Sequence, residues 1–159
     1  MREVLTLIGA MLAACSPQPQ AEAAPAVEAA KTVHPVSGLE VVPLTVTTKG
    51  KVHTFRVEVA ATEENQIRGL MFRTELGPDE GMIFPTDPPR SRSFWMRNTA
   101  IPLDIIFVGP DHRILNIHEN TTPYSLDSRP SAGPASGVLE IAGGRSAELG
   151  IGPGDVVEW

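Results

Sequence analysis

The residues best suited to chemistry lie in one stretch of this chain, residues 93–108. Trp95, Arg97 and Asn98 stand close together there, among apolar neighbours. An indole ring offers a face on which a flat group can stack, and Arg and Asn offer directional hydrogen-bond donors. Because no complete catalytic set accompanies them, the sequence favours a non-catalytic binding module for a small polar or saccharide-like ligand.

Asp104 lies in the same stretch, and we expect its side chain to be buried. The strand that it would occupy, residues 103–108, is apolar on both faces. A buried carboxylate is costly unless it is paired and hydrogen-bonded. The candidate partners are Arg68, Arg73 and Arg97, in a ligand site or in an ion pair that fixes the fold. The structural ion pair is the favoured alternative, since such networks are common around buried acids.

Glu140 is a second acid inside an apolar run, residues 138–142. Two neighbouring carboxylates could carry out acid–base chemistry. An alternative function is therefore a hydrolase of envelope polymers that uses Asp104 and Glu140. No spacing in the sequence shows that the two acids meet.

Three methionines, Met71, Met82 and Met96, raise a third possibility. Thioether sulfurs near an aromatic ring can hold Cu(I), so a copper-handling protein is a further alternative. The favoured interpretation is that they fill gaps in the core, as methionine commonly does. No cysteine-rich or His-Glu-x-x-His motif is present, and we expect neither a bound metal nor a cofactor.

The N-terminal segment has the features of an export signal. Residues 1–14 contain a short apolar run that fits a signal peptide and is too short for a membrane span. Leu12-Ala13-Ala14-Cys15 resembles the bacterial lipobox, which implies lipidation of Cys15 and anchoring on the periplasmic or outer face of a membrane. The outer membrane is favoured where one exists. Ordinary secretion, with cleavage after Ala23, is the alternative.

Residues 15–38 are rich in Ala, Pro, Gln and Glu and predict a disordered tether. The remaining residues, 39–159, are expected to form one domain. Runs of alternating polar and apolar residues at 42–47 and 53–59 predict strands, and Thr62 with two following acids predicts a helix start. The pattern favours a mainly β fold, a compact β-sandwich or jelly-roll-like barrel with one or two short helices.

Three segments between these elements receive specific predictions. Residues 92–99 are expected to form a strand, and residues 85–89, which are rich in proline, a loop. Residues 120–136 are expected to form a long loop, of the kind that often carries function or mobility.

Charge and cysteine content limit the partners of the chain. The formal net charge is -6, which argues against nucleic acid because a nucleic-acid-binding protein needs a basic face. The single cysteine excludes an intrachain disulfide. We therefore expect a monomer whose partners are the membrane, through the lipid, and a small ligand.

The order of several motifs resembles one known family, called domain of unknown function 192. The similarity covers nearly all of residues 52–159. It is carried by Arg68-Gly69-Leu70-Met71-Phe72-Arg73, Gly81-Met82-Ile83-Phe84, Phe94-Trp95-Met96-Arg97-Asn98-Thr99, Ile101-Pro102-Leu103-Asp104-Ile105, Val138-Leu139-Glu140 and Gly154-Asp155. The resemblance implies a compact, jelly-roll-like β fold that is often exported. It brings no accepted activity, so it assigns no catalytic residue.

Overall fold

The computed structural model describes residues 32–159. The signal peptide, Cys15 and most of the predicted tether lie outside the described residues. The domain extends further toward the N-terminus than the predicted boundary at Leu39, because Thr32–Val33 forms a short strand, β1. This strand pairs with Val41 and Glu40 of the next one.

Ten strands and two short helices make up the described part of the chain. The strands after β1 are β2 Glu40–Thr48, β3 Lys51–Val59, β4 Glu80–Arg90, β5 Ser93–Phe94, β6 Leu103–Val108, β7 Ile114–His118, β8 Arg129–Pro130, β9 Ala135–Ala142 and β10 Val156–Glu158. The helices are α1 Glu63–Arg68 and α2 Arg145–Leu149. The mainly β fold with small helices is therefore confirmed.

The strands close into a barrel. They follow the order β1-β2-β3-β4-β9-β6-β7 in the large sheet, and β10 also pairs with β2. An isolated bridge between Arg113 and Val156 connects the start of β7 to β10 and so completes the circuit. The strands β5 and β8 form a separate two-stranded sheet. The expected sandwich-like barrel is thus present.

The hairpin of β2 and β3 shows how the sequence forms these elements. Leu44 and Phe55 lie opposite each other and are buried, as the alternation predicts. Lys49 and Gly50 form the turn with φ of 47° and 79°, the left-handed conformations that a two-residue hairpin requires. Thr62 caps α1 by accepting a hydrogen bond from the amide of Asn65 at 3.2 Å.

Both faces of the central strands are covered, which explains why residues 81–84 of β4, 103–108 of β6 and 138–142 of β9 are mostly apolar on both faces. The barrel interior contains Ile83, Ile106 and Leu139. The outer face carries a second cluster, which includes Phe84 and Phe107 and packs under α1 and the connecting segments. We call this second cluster the outer core. Neither helix within residues 32–159 is long and apolar enough to cross a membrane.

The structure corrects three of the local predictions. Residues 85–89 are part of β4, which pairs with β9 up to Pro85 and again at Arg90, with a register shift between them. Residues 95–99 are not a strand, because Asn98 has a φ of 55° and Met96 donates its amide to Ser125 instead of a sheet neighbour. The predicted loop at 120–136 also contains strand β8, which pairs with β5, and the start of β9 at Ala135.

Candidate functional site

One pocket, of about 330 Å³, opens on the outer core. Helix α1 forms one wall, the end of β4 contributes Arg90, and the segment that includes β5 forms another wall. Glu140 of β9 also lines the pocket. The other lining residues that matter for the chemistry are Glu63, Gln66, Arg68, Met71, Phe84, Arg92, Phe94, Trp95, Arg97 and Thr99.

Glu140 is the buried acid of this pocket. It lies opposite Met82 of β4 and Ile105 of β6, so its side chain projects from the outer face of the sheet. Only 5% of the residue is exposed, and its carboxyl group has no hydrogen bond or ion pair with any of residues 32–159. Burial raises the pKa of Glu140 to about 8. The carboxyl group is therefore protonated at neutral pH and is free to bond to a ligand.

Four arginines line the same pocket: Arg68, Arg90, Arg92 and Arg97. Arg92 donates to two neutral oxygens, Oε1 of Gln66 at 3.1 Å and Oγ1 of Thr86 at 2.9 Å. Burial, and secondly the charge of Arg90, lowers the pKa of Arg92. None of the four forms an ion pair with an acid among residues 32–159. The pocket wall is thus cationic.

Aromatic rings complete the wall. Trp95 is 48% exposed, and the guanidinium carbon of Arg97 lies 5.5 Å from the centre of its ring. Phe94 is partly buried and contacts Phe84 edge to face, with ring centres 5.0 Å apart. Arg92 lies 5.4 Å from the centre of the Phe94 ring. These contacts hold two of the arginines in place while Trp95 presents ring surface to solvent.

Asn98 does not line this pocket, although the sequence groups it with Trp95 and Arg97. Its backbone is in the left-handed region, and its carbonyl accepts the amide of Phe72 at 2.8 Å. Its side-chain nitrogen lies 3.8 Å from the sulfur of Met71. Asn98 therefore acts in the turn, which fixes the path of the chain between Arg97 and Thr99.

Asp104 is buried, as predicted, but its predicted arginine partners are wrong. It lies opposite Ile141 of β9, so its side chain projects from the face opposite that of Glu140. Oδ1 accepts the backbone amides of Asn120 at 2.7 Å and Gly144 at 2.8 Å. Oδ2 accepts the amide of Ser146 at 2.8 Å and also its hydroxyl. The acid thereby fixes the start of α2 and cannot reach the pocket.

Arg73 also lies away from the pocket. Its Nη2 donates to both oxygens of Glu58 at 2.7 Å. Ser37 donates to the same carboxylate, and Nδ1 of His34 lies 3.7 Å from it. Glu58 is only 3% exposed, so Arg73 neutralises a buried acid and, through it, holds the segment after β1 against the domain.

The methionines occupy different surroundings. Met82 and Met96 have no exposed surface and belong to the outer core. Thr121 donates its hydroxyl to the sulfur of Met96 at 3.0 Å. Met71 is the one of the three that lines the pocket. Two of the three sulfurs are therefore out of reach of an ion in solvent, and packing explains them. Residues 32–159 also contain no cluster of His, Cys, Asp and Glu that could hold a metal.

The structure thus brings Arg68, Met71, Trp95, Arg97 and Glu140 together and places the other candidates elsewhere. The sequence did not single out Arg90 and Arg92. These two belong to the cation-rich run Arg90-Ser91-Arg92, which has no adjacent acid to neutralise it. Two arginines without a neighbouring acid, close in sequence to Trp95, could therefore have identified this part of the pocket.

Comparisons with known proteins agree with this fold. A family profile, DUF192, described as "Uncharacterized ACR", matches residues 44–159. A Novosphingobium aromaticivorans DSM 12444 protein of unknown function is 60% identical, with a TM-score of 0.80, over 83% of this chain and 94% of its own. No curated protein matches the chain significantly.

A second solved structure is a Sinorhizobium meliloti 1021 protein that is provisionally named a transcription regulator. It is 36% identical, with a TM-score of 0.73, over 76% of this chain and 94% of its own. A family profile that spans most of the described residues, supported by these two structures, shows that the chain belongs to the uncharacterised DUF192 family.

Proposed function

We propose that this domain is a non-catalytic binding module that takes a small polar, saccharide-like ligand into the pocket between α1 and Trp95. The observation that carries the proposal is Glu140. A buried acid without a partner normally costs stability, and native proteins keep such groups mainly where function needs them. Glu140 has that status and lines an open pocket.

The remaining chemistry of the pocket supports a ligand with a ring and hydroxyl groups. A volume of about 330 Å³ is within the size range of small-ligand sites. Trp95 offers a stacking face that is already half exposed, and Arg97 is held beside it. Protonated Glu140 can donate one hydrogen bond and accept another, which suits a hydroxyl group.

The location is part of the same proposal. Export, lipidation of Cys15 and attachment to a membrane of the cell envelope rest on the N-terminal sequence alone. A module that is tethered in this way would meet sugars of the envelope. The name of the Sinorhizobium relative would suggest transcription instead. Binding of nucleic acid needs a basic face. The formal net charge of this chain is -6, and the arginines that could contact nucleic acid line a pocket instead.

A hydrolase remains a second candidate, because an acid whose pKa lies near 8 can donate a proton to a leaving group. The version that pairs Asp104 with Glu140 does not fit, since the two side chains project from opposite faces. Glu63 is the other acid that lines the pocket. Release of product from a labelled envelope polysaccharide by the wild type, but not by Glu140→Gln, would support this candidate over simple binding.

Tryptophan fluorescence gives a direct test, because the chain has two tryptophans and Trp95 is at the pocket. The variant Trp159→Phe leaves Trp95 as the sole reporter, and Trp95→Phe is its matched control, since Trp159 lies beside His112 instead. We expect mono- and oligosaccharides of the envelope to change the emission of Trp159→Phe and to raise its melting temperature. An unchanged emission and melting temperature across the whole panel would reject the proposal.

A further inference from the structure

The distribution of positive charge singles out the pocket. Among residues 32–159, Arg73 is paired with Glu58, and Arg145 is paired with Asp79 and Glu148, whereas the other arginines form no ion pair. Four of these unpaired arginines, the ones named above, line the same pocket. Their mutual repulsion is tolerated in one small region, which is the arrangement expected of a site that waits for an anion.

The acids of the pocket do not cancel this charge. Glu63, which is exposed on α1, is one acid against four arginines. Glu140 is protonated at neutral pH because burial raises its pKa to about 8. Its own neighbours across the sheet, Met82 and Ile105, carry no charge. The charged groups that face it from the packed elements are Glu63 and Arg68 of α1, Arg90 of β4, and Arg92 and Arg97 of the adjoining segment.

We propose that the ligand of this pocket is an anionic sugar, in which a carboxylate or phosphate group is held by the pocket arginines and the ring stacks on Trp95. This inference rests on the proposed function and specifies the class of ligand. Arginine suits both acid groups because its planar fork donates two parallel hydrogen bonds to them. Arg92 and Arg97 are already positioned by the rings of Phe94 and Trp95, so little side-chain freedom is lost on binding.

The buried acid makes this recognition dependent on pH. Below about pH 8 Glu140 is neutral and can donate a hydrogen bond to the ligand. Above that pH it gains a negative charge, which competes with a bound anion for the pocket arginines and repels that anion. Affinity for an anionic sugar should therefore fall as pH rises through about 8, and the variant Glu140→Gln should abolish this step.

Titration calorimetry on the full chain can test the inference with four probes: glucuronate, a glucose phosphate, glucose and inorganic phosphate. We expect both acidic sugars to bind roughly tenfold or more tightly than glucose at neutral pH. They should also bind more tightly than inorganic phosphate, because only they offer a ring to Trp95. Arg97→Gln should remove most of the preference. The matched control Arg56→Gln, which changes an exposed arginine of β3 outside the pocket, should leave it unchanged.

The outcomes separate the two proposals. Glucose that binds as well as the acidic sugars would overturn the anionic class and leave the binding module intact. Inorganic phosphate that binds as well as the glucose phosphate would overturn the role of the ring. Binding that persists unchanged from neutral pH to above pH 8 would overturn the role of Glu140. If the broader saccharide panel described under the proposed function also gives no binding, the binding module itself fails.

Discussion

Asp104 and Glu140 are buried acids on adjacent strands of one sheet, and their surroundings are opposite. Asp104 accepts three backbone amides and one hydroxyl, and it has no exposed surface. The carboxyl group of Glu140 accepts no hydrogen bond from residues 32–159 and faces an open pocket. The first acid organises the start of α2, and the second is the one that we propose binds a ligand. Burial alone therefore does not distinguish the two acids, whereas their hydrogen-bond partners do.

The difference follows from the register between β6 and β9. Asp104 lies opposite Ile141, and Ile105 lies opposite Glu140. Successive side chains of a strand project to opposite faces, so the two acids are directed to different cores. A shift of one residue between these strands would bring both to one face.

Replacement of Asp104 should produce the largest loss of stability. The variant Asp104→Asn introduces an amide group opposite backbone amides that then lack acceptors, at roughly 1 to 3 kcal/mol each. We expect the free energy of unfolding to fall by about 4 kcal/mol in urea denaturation. Asp127→Asn, at an exposed position, is the matched control and should change little. A loss below about 1 kcal/mol would mean that Asp104 does not organise this end of the barrel.

Replacement of Glu140 should increase the free energy of unfolding, whereas replacement of Asp104 decreases it. The folded state keeps the proton up to about pH 8, while the unfolded chain releases it near 4.5. Between these values the folded state binds more protons, so the stability of the wild type decreases as pH rises.

The variant Glu140→Gln lacks this penalty. We expect its advantage in stability over the wild type to grow from nothing near pH 4.5 to about 3 kcal/mol at pH 7, with no difference at lower pH. Melting temperatures measured at several pH values would show the divergence. Parallel curves for the two proteins would show that Glu140 is already satisfied.

Replacement of Arg73 should cause a loss of stability smaller than that of Asp104→Asn. The variant Arg73→Met removes the main partner of Glu58 but leaves the contacts from Ser37 and His34. We expect a loss of about 2 kcal/mol, since a hydrogen-bonded charge pair is broken in a nearly buried site. Urea denaturation of Arg73→Met beside Arg97→Met provides the comparison. Equal losses in both would remove the distinction between structural and pocket arginines.

Trp95 should matter least for stability. Because the side chain is 48% exposed, Trp95→Ala should cost about 1 kcal/mol or less in the free energy of unfolding. The same variant should lose most of its affinity for any saccharide that binds the wild type. A large loss of stability with unchanged binding would assign Trp95 to the fold instead of the pocket.

Much of the fold could be predicted because it depends on local patterns. The alternation at residues 53–59 predicts β3, and Thr62 with its following acids predicts α1. Residues 95–99 could not be predicted as a turn, since what ends the strand is a bond from Met96 to the distant Ser125. The strand character of residues 85–90 likewise depends on β9, a partner far away in the chain.

The site was predictable in composition and less so in geometry. Trp95 and Arg97 could be identified because an aromatic ring and a cation stand close together in an otherwise apolar stretch, and both line the pocket. Asp104 and Glu140 look alike in sequence, since both lie within apolar strands. The register that separates them depends on how the two strands pair, so it cannot be predicted from the sequence of either strand alone.

The most direct test of this account is the titration of Glu140 itself. An NMR titration of its side-chain carboxyl carbon, assigned with Glu140→Gln, would report its protonation without any ligand. We predict a midpoint near pH 8 for the unliganded protein. A midpoint near the ordinary 4.5 would contradict the account, because it would show that the carboxyl group is solvated or already paired.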